Sequence, residues 1–238
     1  MNVLVCRPLE DSIDLSSSLN KLGITNLVLP TISIENISIN ICLDGFTDFI
    51  FTSKHAVRSF FSQYSPNLFI DINIYAVGAS SASLIKELGL KCQYPKKASS
   101  YDLFELIDTK SISDEKFAVI GGVGGNTYLI DKLSEIAGCQ KLEVYKRKDI
   151  ASDELLKNYL KHYQDEFPDI IVVTSIDVFN SLNRIFSKIR APYDTKITVT
   201  SLKMLELLES KGFNNTVMLN KLNNDHICKV IEEIAKGK

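Results

Sequence analysis

Short apolar runs rich in β-branched residues alternate along the chain with longer segments whose apolar residues recur every three or four positions. The short runs predict strands, and the longer segments predict helices that pack on them. Strands are predicted at residues 2–5, 48–51, 74–77, 117–120, 169–173 and 197–200. Regular alternation of strand and helix is typical of α/β proteins with parallel sheets, which is the predicted fold class.

The order of these elements recurs in the second half of the chain. Thr52-Ser53 and Thr174-Ser175 each follow an apolar strand, and the two pairs lie 122 positions apart. Residues 74–89 and 197–212 each lead from a strand through a helix to a glycine, and the second segment lies 123 positions after the first. Equal spacing around identical turn residues predicts two homologous halves.

Two further features belong to this repeat. Gly23 and Gly138, which lie 115 positions apart, are both expected to end a helix. Residues 31–41 and 140–149 alternate like exposed strands and are expected to have no helix after them. Because the two stretches hold equivalent places in the two halves, they predict a paired β-ribbon that links the halves.

Composition limits the class of protein. A chain of 238 residues fits two domains of about 100 to 120 residues, each large enough for a hydrophobic core. A net charge of −2 disfavours a general nucleic-acid-binding protein. No signal peptide or membrane span of ~20 apolar residues is recognised, and the five cysteines are scattered singly. These features predict a soluble, cytoplasmic protein with reduced thiols and without membrane or nucleic-acid partners.

The two Thr-Ser pairs lie where an open α/β sheet binds its ligand, between the end of a strand and the start of a helix. The unpaired N–H groups and the dipole of such a helix favour a carboxylate or a phosphate. The alternative is that Ser53 and Ser175 are only helix N-caps. Their occurrence as a matched pair leaves both interpretations open.

Other residues give weaker indications of chemistry. Residues 121–125, Gly-Gly-Val-Gly-Gly, fit neither GxxxxGK[ST] nor GxGxxG, which disfavours a nucleotide site. They are better explained by turn geometry or by close approach to another anion. The three histidines lack metal-ligand spacing, so no metal site is predicted. His55, beside the first Thr-Ser pair, is either solvated or in contact with a ligand.

Tyr145 lies in the run Val-Tyr-Lys-Arg-Lys at residues 144–148, within the second predicted ribbon strand. One interpretation is a residue of high β-propensity on an exposed, cationic strand. The functional interpretation is a phenol at the junction of the two halves, able to donate a proton beside positive charge that attracts an acidic substrate.

Together these segments resemble the uroporphyrinogen-III synthase family over essentially the whole chain. The most specific elements are Thr-Ser-x-x-Ala-Val at residues 52–57 and Val-Tyr-x-Arg at residues 144–147. The other matching segments are residues 3–8, 15–23, 30–34, 48–51, 74–78, 124–125, 138–145 and 169–175. Their order and spacing carry the resemblance.

The resemblance implies two lobes of α/β units joined by a two-stranded β-ladder. One lobe would be discontinuous, comprising residues 1–31 and 150–238, and the other would comprise residues 42–140. Residues 32–41 and 141–149 would form the ladder.

The resemblance also implies a reaction: cyclisation of hydroxymethylbilane to uroporphyrinogen III, with loss of water and inversion of ring D. No cofactor is implied, so full activity is expected after exhaustive chelation and dialysis. Catalysis would depend on positioning and electrostatics. The protein is expected to be a monomer, with a transient contact to hydroxymethylbilane synthase because the substrate is unstable.

The residues and the resemblance together predict the site. Tyr145 is the predicted catalytic residue. The predicted substrate-binding residues are Arg7, Thr52, Ser53, Lys54, His55, Gly78, Ser81, Gly124, Gly125, Thr174, Ser175 and Ser201. The chain departs from the family pattern at Gly121 and Asn126, where arginines are common, and at residues 201–204, where a Gly-x-x-Thr-type turn is replaced. Backbone N–H groups are therefore expected to bind the substrate more than arginine side chains do.

One alternative of a different class is a two-lobed receptor that closes on a small molecule without chemistry. It would share the repeated lobes and the double linker. Tyr145 with three adjacent cations and the Thr-Ser-x-x-Ala-Val segment favour the enzyme.

Overall fold

The structure is a computed structural model that describes residues 1–107, 115–164 and 166–237. Its contacts divide the chain into two compact units. Unit 1 comprises Met1–Ser33 and Lys148–Lys238, and unit 2 comprises Ile34–Arg147. In chain order the elements are β1 (Asn2–Val5), α1 (Leu9–Lys21), β2 (Thr25–Val28), β3 (Ile32–Asn36), β4 (Asp48–Phe51), α2 (Lys54–Phe61), β5 (Asn73–Ala76), α3 (Ala79–Glu87), α4 (Ser100–Leu106), β6 (Lys116–Gly122), α5 (Tyr128–Ser134), β7 (Gly138–Asp149), α6 (Ser152–His162), β8 (Ile170–Val172), α7 (Ile176–Phe186), β9 (Lys196–Val199), α8 (Leu202–Ser210), β10 (Thr216–Met218) and α9 (Asn224–Ala235).

Unit 1 contains a sheet with the strand order β10-β9-β8-β1-β2, in which every neighbouring pair is parallel. Successive residues of its strands enter two different hydrophobic clusters. Leu4 and Ile171 belong to one cluster, while Val3, Val5 and Ile170 belong to the other. Since side chains alternate across a strand, the sheet is covered on both faces, as parallel sheets require.

Unit 2 contains a sheet with the strand order β3-β7-β6-β4-β5. Strands β7, β6, β4 and β5 are parallel, and β3 lies beside β7 at the edge. One face packs an aromatic cluster in which the rings of Phe49 and Phe69 meet edge to face at 5.0 Å. The other face buries Ile50, Phe117 and Val119. Unit 2 therefore also has a core on both faces of its sheet.

The two sheets have the same construction. The run β8-α7-β9-α8 of unit 1 corresponds to β4-α2-β5-α3 of unit 2, and β1-α1-β2 corresponds to β6-α5-β7. Gly89 and Gly212 end their helices at φ 83° and 89°, in the left-handed region that glycine adopts without strain. The predicted fold class, two α/β lobes with parallel sheets, is confirmed.

Some local predictions are wrong. Gly138 does not end a helix: α5 ends at Ser134, and Gly138 is the first residue of β7. The first predicted ribbon strand is shorter than expected, because β3 ends at Asn36. The second is not exposed throughout, since Leu142, Val144 and Tyr145 are buried. It is also followed directly by α6, which the alternating pattern did not predict.

Candidate functional site

The site in unit 2 begins at the carboxyl ends of β4 and β6. Thr52 donates both its N–H and its hydroxyl to the carbonyl of Ile120, each at 3.0 Å, which ties the ends of the two strands together. Ser53 is the N-cap of α2, and its Oγ accepts the N–H of Ala56 at 3.1 Å. Ser53 is therefore an N-cap with a second contact besides, and binding of a ligand by this Thr-Ser pair stays a prediction.

That second contact depends on a β-bulge in β7. Gly121 pairs with Glu143, but Gly122 pairs with Tyr145, so one residue of β7 is skipped. Without the bulge, alternation would direct Val144 and Tyr145 to opposite faces of the sheet. With it, both are buried in the same hydrophobic cluster as Leu142. The bulge therefore turns the phenol of Tyr145 toward the helix that Ser53 caps.

The ring of Tyr145 lies directly against the backbone of Gly122. A Cβ atom at residue 122 would lie 2.6 Å from Cζ of Tyr145, which is far inside van der Waals contact. Only glycine leaves this space open. The glycine-rich segment thus serves at Gly122 as a platform for the ring.

The hydroxyl of Tyr145 is surrounded by polar groups although the residue is only 2% exposed. Its oxygen lies 3.1 Å from Oγ of Ser53, and either atom can be the donor. Arg147 donates from Nη2 at 3.5 Å, with its guanidinium carbon 5.7 Å from the ring centroid. The ring of His55 meets the phenol edge to face at 5.7 Å. A phenolic proton donor, a hydroxyl and a cation therefore converge at one point.

A pocket of about 160 Å³ opens beside this cluster. Whole-ligand pockets usually measure roughly 300–1,000 Å³, so this one fits a single ring or side chain of a larger substrate. Its lining residues are Thr52, Ser53, Ser100, Val119, Gly121, Gly122, Gly125, Asn126, Ile130, Lys141, Tyr145 and Arg147. Four of the predicted site residues, Thr52, Ser53, Gly125 and Tyr145, are among them.

Some N–H groups of the glycine loop, residues 121–125, donate to carbonyl groups of the protein itself. Gly124 has φ 69°, and the N–H of Gly125 donates to the carbonyl of Gly122 at 3.1 Å. Val123 donates its N–H to the carbonyl of Tyr145 at 2.9 Å. The N–H groups of Thr52 and Gly125 are thus bonded within the protein, and binding of the substrate by these two residues stays a prediction. Gly124 lies at an exposed turn, and for it the prediction remains.

Other predicted residues of unit 2 do not line the pocket. Lys54 and His55 form the half-buried first turn of α2, and both have further polar or ring contacts. Gly78 is the N-cap of α3 in an extended conformation. Ser81 is only 4% exposed, so its hydroxyl has little access to a ligand.

In unit 1 the predicted residues also lie at the carboxyl edge of the sheet. Ser175 is the N-cap of α7 and accepts the N–H of Val178 at 3.3 Å, and Ser201 caps α8 through the N–H of Met204 at 3.2 Å. Thr174 precedes the first of these caps and is half-buried. These residues recreate in unit 1 the capped turns of unit 2, but no phenol among the described residues is bonded to them.

Arg7, a predicted substrate-binding residue, is buried in unit 1. Its side chain is 5% exposed, and Nη2 lies 3.7 Å from the carboxylate of Asp11. Nη1 donates to Asn224 at 2.9 Å, which holds the start of α9 against the end of β1. Burial lowers the pKa of this guanidinium, and the carboxylates of Asp11 and Asp14 oppose that shift. These contacts indicate a structural role in unit 1.

The described part of the chain has a second pocket but no metal cluster. A larger pocket of about 310 Å³ in unit 1, mostly apolar, lies between β2 and α6 and includes none of the predicted residues. Within residues 1–107, 115–164 and 166–237, no group of three or more His, Cys, Asp or Glu side chains has metal-binding geometry. We therefore regard the smaller pocket as the candidate site, because Ser53, Tyr145 and Arg147, whose hydroxyl groups and cation are suited to catalysis, line it.

Sequence reasoning missed part of this pocket. Ser100, Gly122, Lys141 and Arg147 were not among the predicted site residues, although Arg147 belonged to the Val-Tyr-x-Arg element. The available signal was the spacing of Tyr145 and Arg147, which puts two side chains on the same side of a strand. Ser100 and Lys141 carry no comparable signal, because strand pairing and helix packing bring them to the pocket.

Comparison with known proteins gives a consistent result. A family model described as uroporphyrinogen-III synthase HemD matches residues 13–229. No curated protein sequence matches the chain. The structure of uroporphyrinogen-III synthetase from Helicobacter pylori is similar with a TM-score of 0.66 and 13% identity, covering 98% of this chain and 99% of that one. A mutant uroporphyrinogen III synthase from Thermus thermophilus has a TM-score of 0.55 and 16% identity, with 99% of each chain covered. At these identities the structures support the fold, and the family model supports the family.

Proposed function

The chain belongs to the uroporphyrinogen-III synthase family, and we propose that Tyr145 and the pocket beside it carry out its reaction, the cyclisation of hydroxymethylbilane to uroporphyrinogen III. The reaction removes one water and inverts ring D. The protein is thus a lyase of tetrapyrrole synthesis. The observation that supports this site is the hydroxyl of Tyr145, which lies 3.1 Å from Ser53 and 3.5 Å from Arg147 at the pocket.

The first chemical step needs a proton. The hydroxyl of the substrate's hydroxymethyl group leaves as water when the phenol of Tyr145 protonates it, while the electron pair of the adjacent pyrrole drives the departure. The terminal ring then attacks through its substituted carbon, and the spiro intermediate rearranges with ring D inverted. The carbon that forms the final bond loses a proton, which restores the phenol and balances the reaction.

The surroundings of Tyr145 suit this role. Gly122 and the bulge in β7 hold the ring in place, so the hydroxyl needs little reorientation before it donates. Arg147 donates to the phenol oxygen and thus stabilises negative charge that develops there as the proton leaves. A proton donor positioned in advance typically contributes about 10²–10⁴-fold to a rate.

The remaining predicted residues keep a supporting role in this proposal. Ser53 orients the phenol, and Lys54, His55, Gly78 and Gly124, at the starts of α2 and α3 and in the glycine loop, would bind substrate carboxylates. Thr174, Ser175 and Ser201 form the corresponding capped turns of unit 1. Single substitutions of Lys54 or His55 are expected to weaken binding by roughly the 1–3 kcal/mol of a charged hydrogen bond.

The decisive experiment is an isomer assay. Hydroxymethylbilane, generated in place by its synthase, is incubated with the purified protein, and the oxidised products are separated into type I and type III. We expect predominantly the type III isomer with the protein and the type I isomer from spontaneous closure without it. Type I alone, from folded protein, would overturn the proposal. The receptor alternative has no observation in its favour.

We also propose the setting in which the protein works. Its five cysteines are all unpaired, which favours a reducing compartment such as the cytoplasm. Across the described residues, no helix has the length and apolar character to span a membrane. We propose that the protein is a monomer that makes a transient contact with hydroxymethylbilane synthase. Its proposed lobes comprise residues 1–31 with 150–238 and residues 42–140, and segments 32–41 and 141–149 join them.

A further inference from the structure

The cationic side chains of β7 differ in how their charge is neutralised. Nζ of Lys141 lies 2.6 Å from Glu143, and Nζ of Lys146 lies 3.3 Å from Glu35. Arg147 has no carboxylate within ion-pair distance anywhere in the described ranges. Its polar contact is with the hydroxyl of Tyr145, which is neutral when protonated. Arg147 therefore brings an uncompensated positive charge to the pocket.

We propose that Arg147 is a substrate-binding residue that takes one carboxylate side chain of the substrate, beside the phenol of Tyr145. This inference rests on the proposed function and adds a subsite to it. The sequence pattern assigned attraction of an acidic substrate only to the cationic run at residues 144–148 as a whole, and the contacts in the structure single out Arg147 within it. The ligand chemistry is that of an acetate or propionate group carried on a pyrrole ring.

The geometry of Arg147 leaves donors available for such a group. A guanidinium has five N–H donors in a fixed planar fork, and one of them is directed at the oxygen of Tyr145. The residue is exposed, so the remaining N–H groups can reach a ligand without removal of another partner. An arginine fork matches a carboxylate with two parallel hydrogen bonds.

The residues that line the pocket also indicate why its uncompensated positive charge comes from Arg147 on β7. Gly121 and Asn126 both line this pocket, and neither contributes a charged side chain. A Cβ atom at residue 121 would lie 2.8 Å from Oγ1 of Thr52, whose hydroxyl is bonded to the carbonyl of Ile120. A side chain at residue 121 would therefore displace the hydroxyl of Thr52 from this bond. Arg147 enters the same pocket from the neighbouring strand and supplies the positive charge.

One consequence concerns isomer choice. A carboxylate held by Arg147 places its pyrrole ring beside the proton donor, so the anchored ring is one of those that react. Binding energy from this carboxylate would orient the ring for attack through its substituted carbon. Loss of the anchor should then raise KM and allow more spontaneous type I product.

The test compares Arg147→Gln with Arg147→Lys and with Lys146→Gln. Lys146 is the adjacent exposed cation of the same strand, is paired with Glu35, and does not line the pocket. Steady-state kinetics with hydroxymethylbilane, the isomer ratio, and the Kd of uroporphyrin III from fluorescence titration are measured for all variants. Thermal unfolding checks that each variant is folded.

For Arg147→Gln we expect KM and the Kd of uroporphyrin III to rise about tenfold or more, which is the loss of a charged hydrogen bond. Arg147→Lys should recover part of the affinity, because it keeps the charge but loses the fork. Lys146→Gln should stay within about twofold of the wild type in both KM and Kd, as expected for an exposed ion pair. The kcat of Arg147→Gln should fall too, because Arg147 also stabilises charge on the phenol oxygen of Tyr145. A fall in kcat with KM and Kd unchanged would leave only that role and overturn the inference.

The two proposals can fail separately. If the wild type makes type III product and Arg147→Gln has the wild-type KM, Kd and isomer ratio, the subsite is wrong and the proposed function stands. If the wild type makes no type III product, the proposed function fails. The uroporphyrin III titration needs no turnover, so equal Kd values in wild type and Arg147→Gln would overturn the subsite in that case too.

Discussion

Unit 1 and unit 2 share a pattern of parallel strands and a pair of Ser-capped helices, yet their carboxyl edges differ in chemistry. Ser53 and Ser175 cap the helices that follow equivalent strands, with nearly the same backbone angles. Of the two, only Ser53 has a phenol of the described chain at hydrogen-bond distance from its hydroxyl. The repeated fold therefore accounts for the capped turns in both units. The candidate site depends on the residues around these turns, which differ between the units.

The residue two positions after Val5 of β1, and after the equivalent Ile120 of β6, accounts for much of the difference. Arg7 and Gly122 are 115 positions apart, as are Val5 and Ile120, which pair with the next strand of their sheets. In unit 1 this position carries a buried guanidinium paired with Asp11. In unit 2 it carries no side chain, and the ring of Tyr145 occupies the space. One unit uses the position to fix a helix, and the other uses it to hold a phenol.

The comparison is tested most strongly by Tyr145→Phe. We expect normal folding, retained substrate binding, and a loss of most activity within the roughly 10²–10⁴-fold range of general acid catalysis, since a bound water can replace part of it. The type I isomer should rise because slow closure lets the spontaneous reaction compete. Tyr159→Phe is the control: Tyr159 is a buried tyrosine of unit 1 whose hydroxyl has no partner among the described residues. Wild-type turnover in Tyr145→Phe would leave the pocket as a template only.

Gly122→Ala should have the next largest effect. The added Cβ would lie 2.6 Å from Cζ of Tyr145, so the ring must shift, which disturbs its contact with Ser53. We expect kcat to fall by about tenfold or more and the free energy of unfolding to fall by about 1–3 kcal/mol through overpacking. The kinetics of the double variant Gly122→Ala/Tyr145→Phe test whether Gly122 acts through Tyr145, because the effects of substituting two residues in contact are not additive. A double variant much slower than Tyr145→Phe alone would mean that Gly122 acts on something else.

The smallest expected effect is a difference in kcat between Ser53→Ala and Ser175→Ala, which remove the two equivalent N-caps. Ser53→Ala and Ser175→Ala should each lower the free energy of unfolding by about 1 kcal/mol, the usual value of a lost N-cap. Only Ser53→Ala should also lower kcat, by a few-fold, because only Ser53 orients the phenol. Urea unfolding and isomer-resolved kinetics on both variants measure the two quantities. Equal kcat values in the pair would remove Ser53 from the orientation of Tyr145.

The fold could be predicted well because its signals are local. Strands such as β1 and β4 are short apolar runs, and Gly89 and Gly212 end helices at equal spacing. The prediction was wrong at Gly138, because a glycine after a helical pattern does not distinguish a helix end from the start of the next strand. Periodicity also missed the burial of β7, whose exposure depends on neighbouring strands and not on its own pattern.

The site was predicted only in part. Thr52, Ser53, Gly125 and Tyr145 line the pocket as residues of recognisable motifs. Arg7 was predicted to bind the substrate, but its buried guanidinium donates to Asn224 at the start of α9, more than two hundred positions later in the chain. A contact of that separation leaves no local mark in the sequence.

By itself the sequence determined the family, the two repeated α/β halves, the Ser caps and the choice of Tyr145, because each depends on residue type at short spacing. Only the tertiary structure decided which neighbours Tyr145 has. A one-residue bulge opposite Gly121 and Gly122 turns the phenol to the face of Ser53. The same pairing brings Arg147, with its charge uncompensated among the described residues, into the pocket. Strand register sets both outcomes, and register is a property of two strands together, so neither strand's own sequence reveals it.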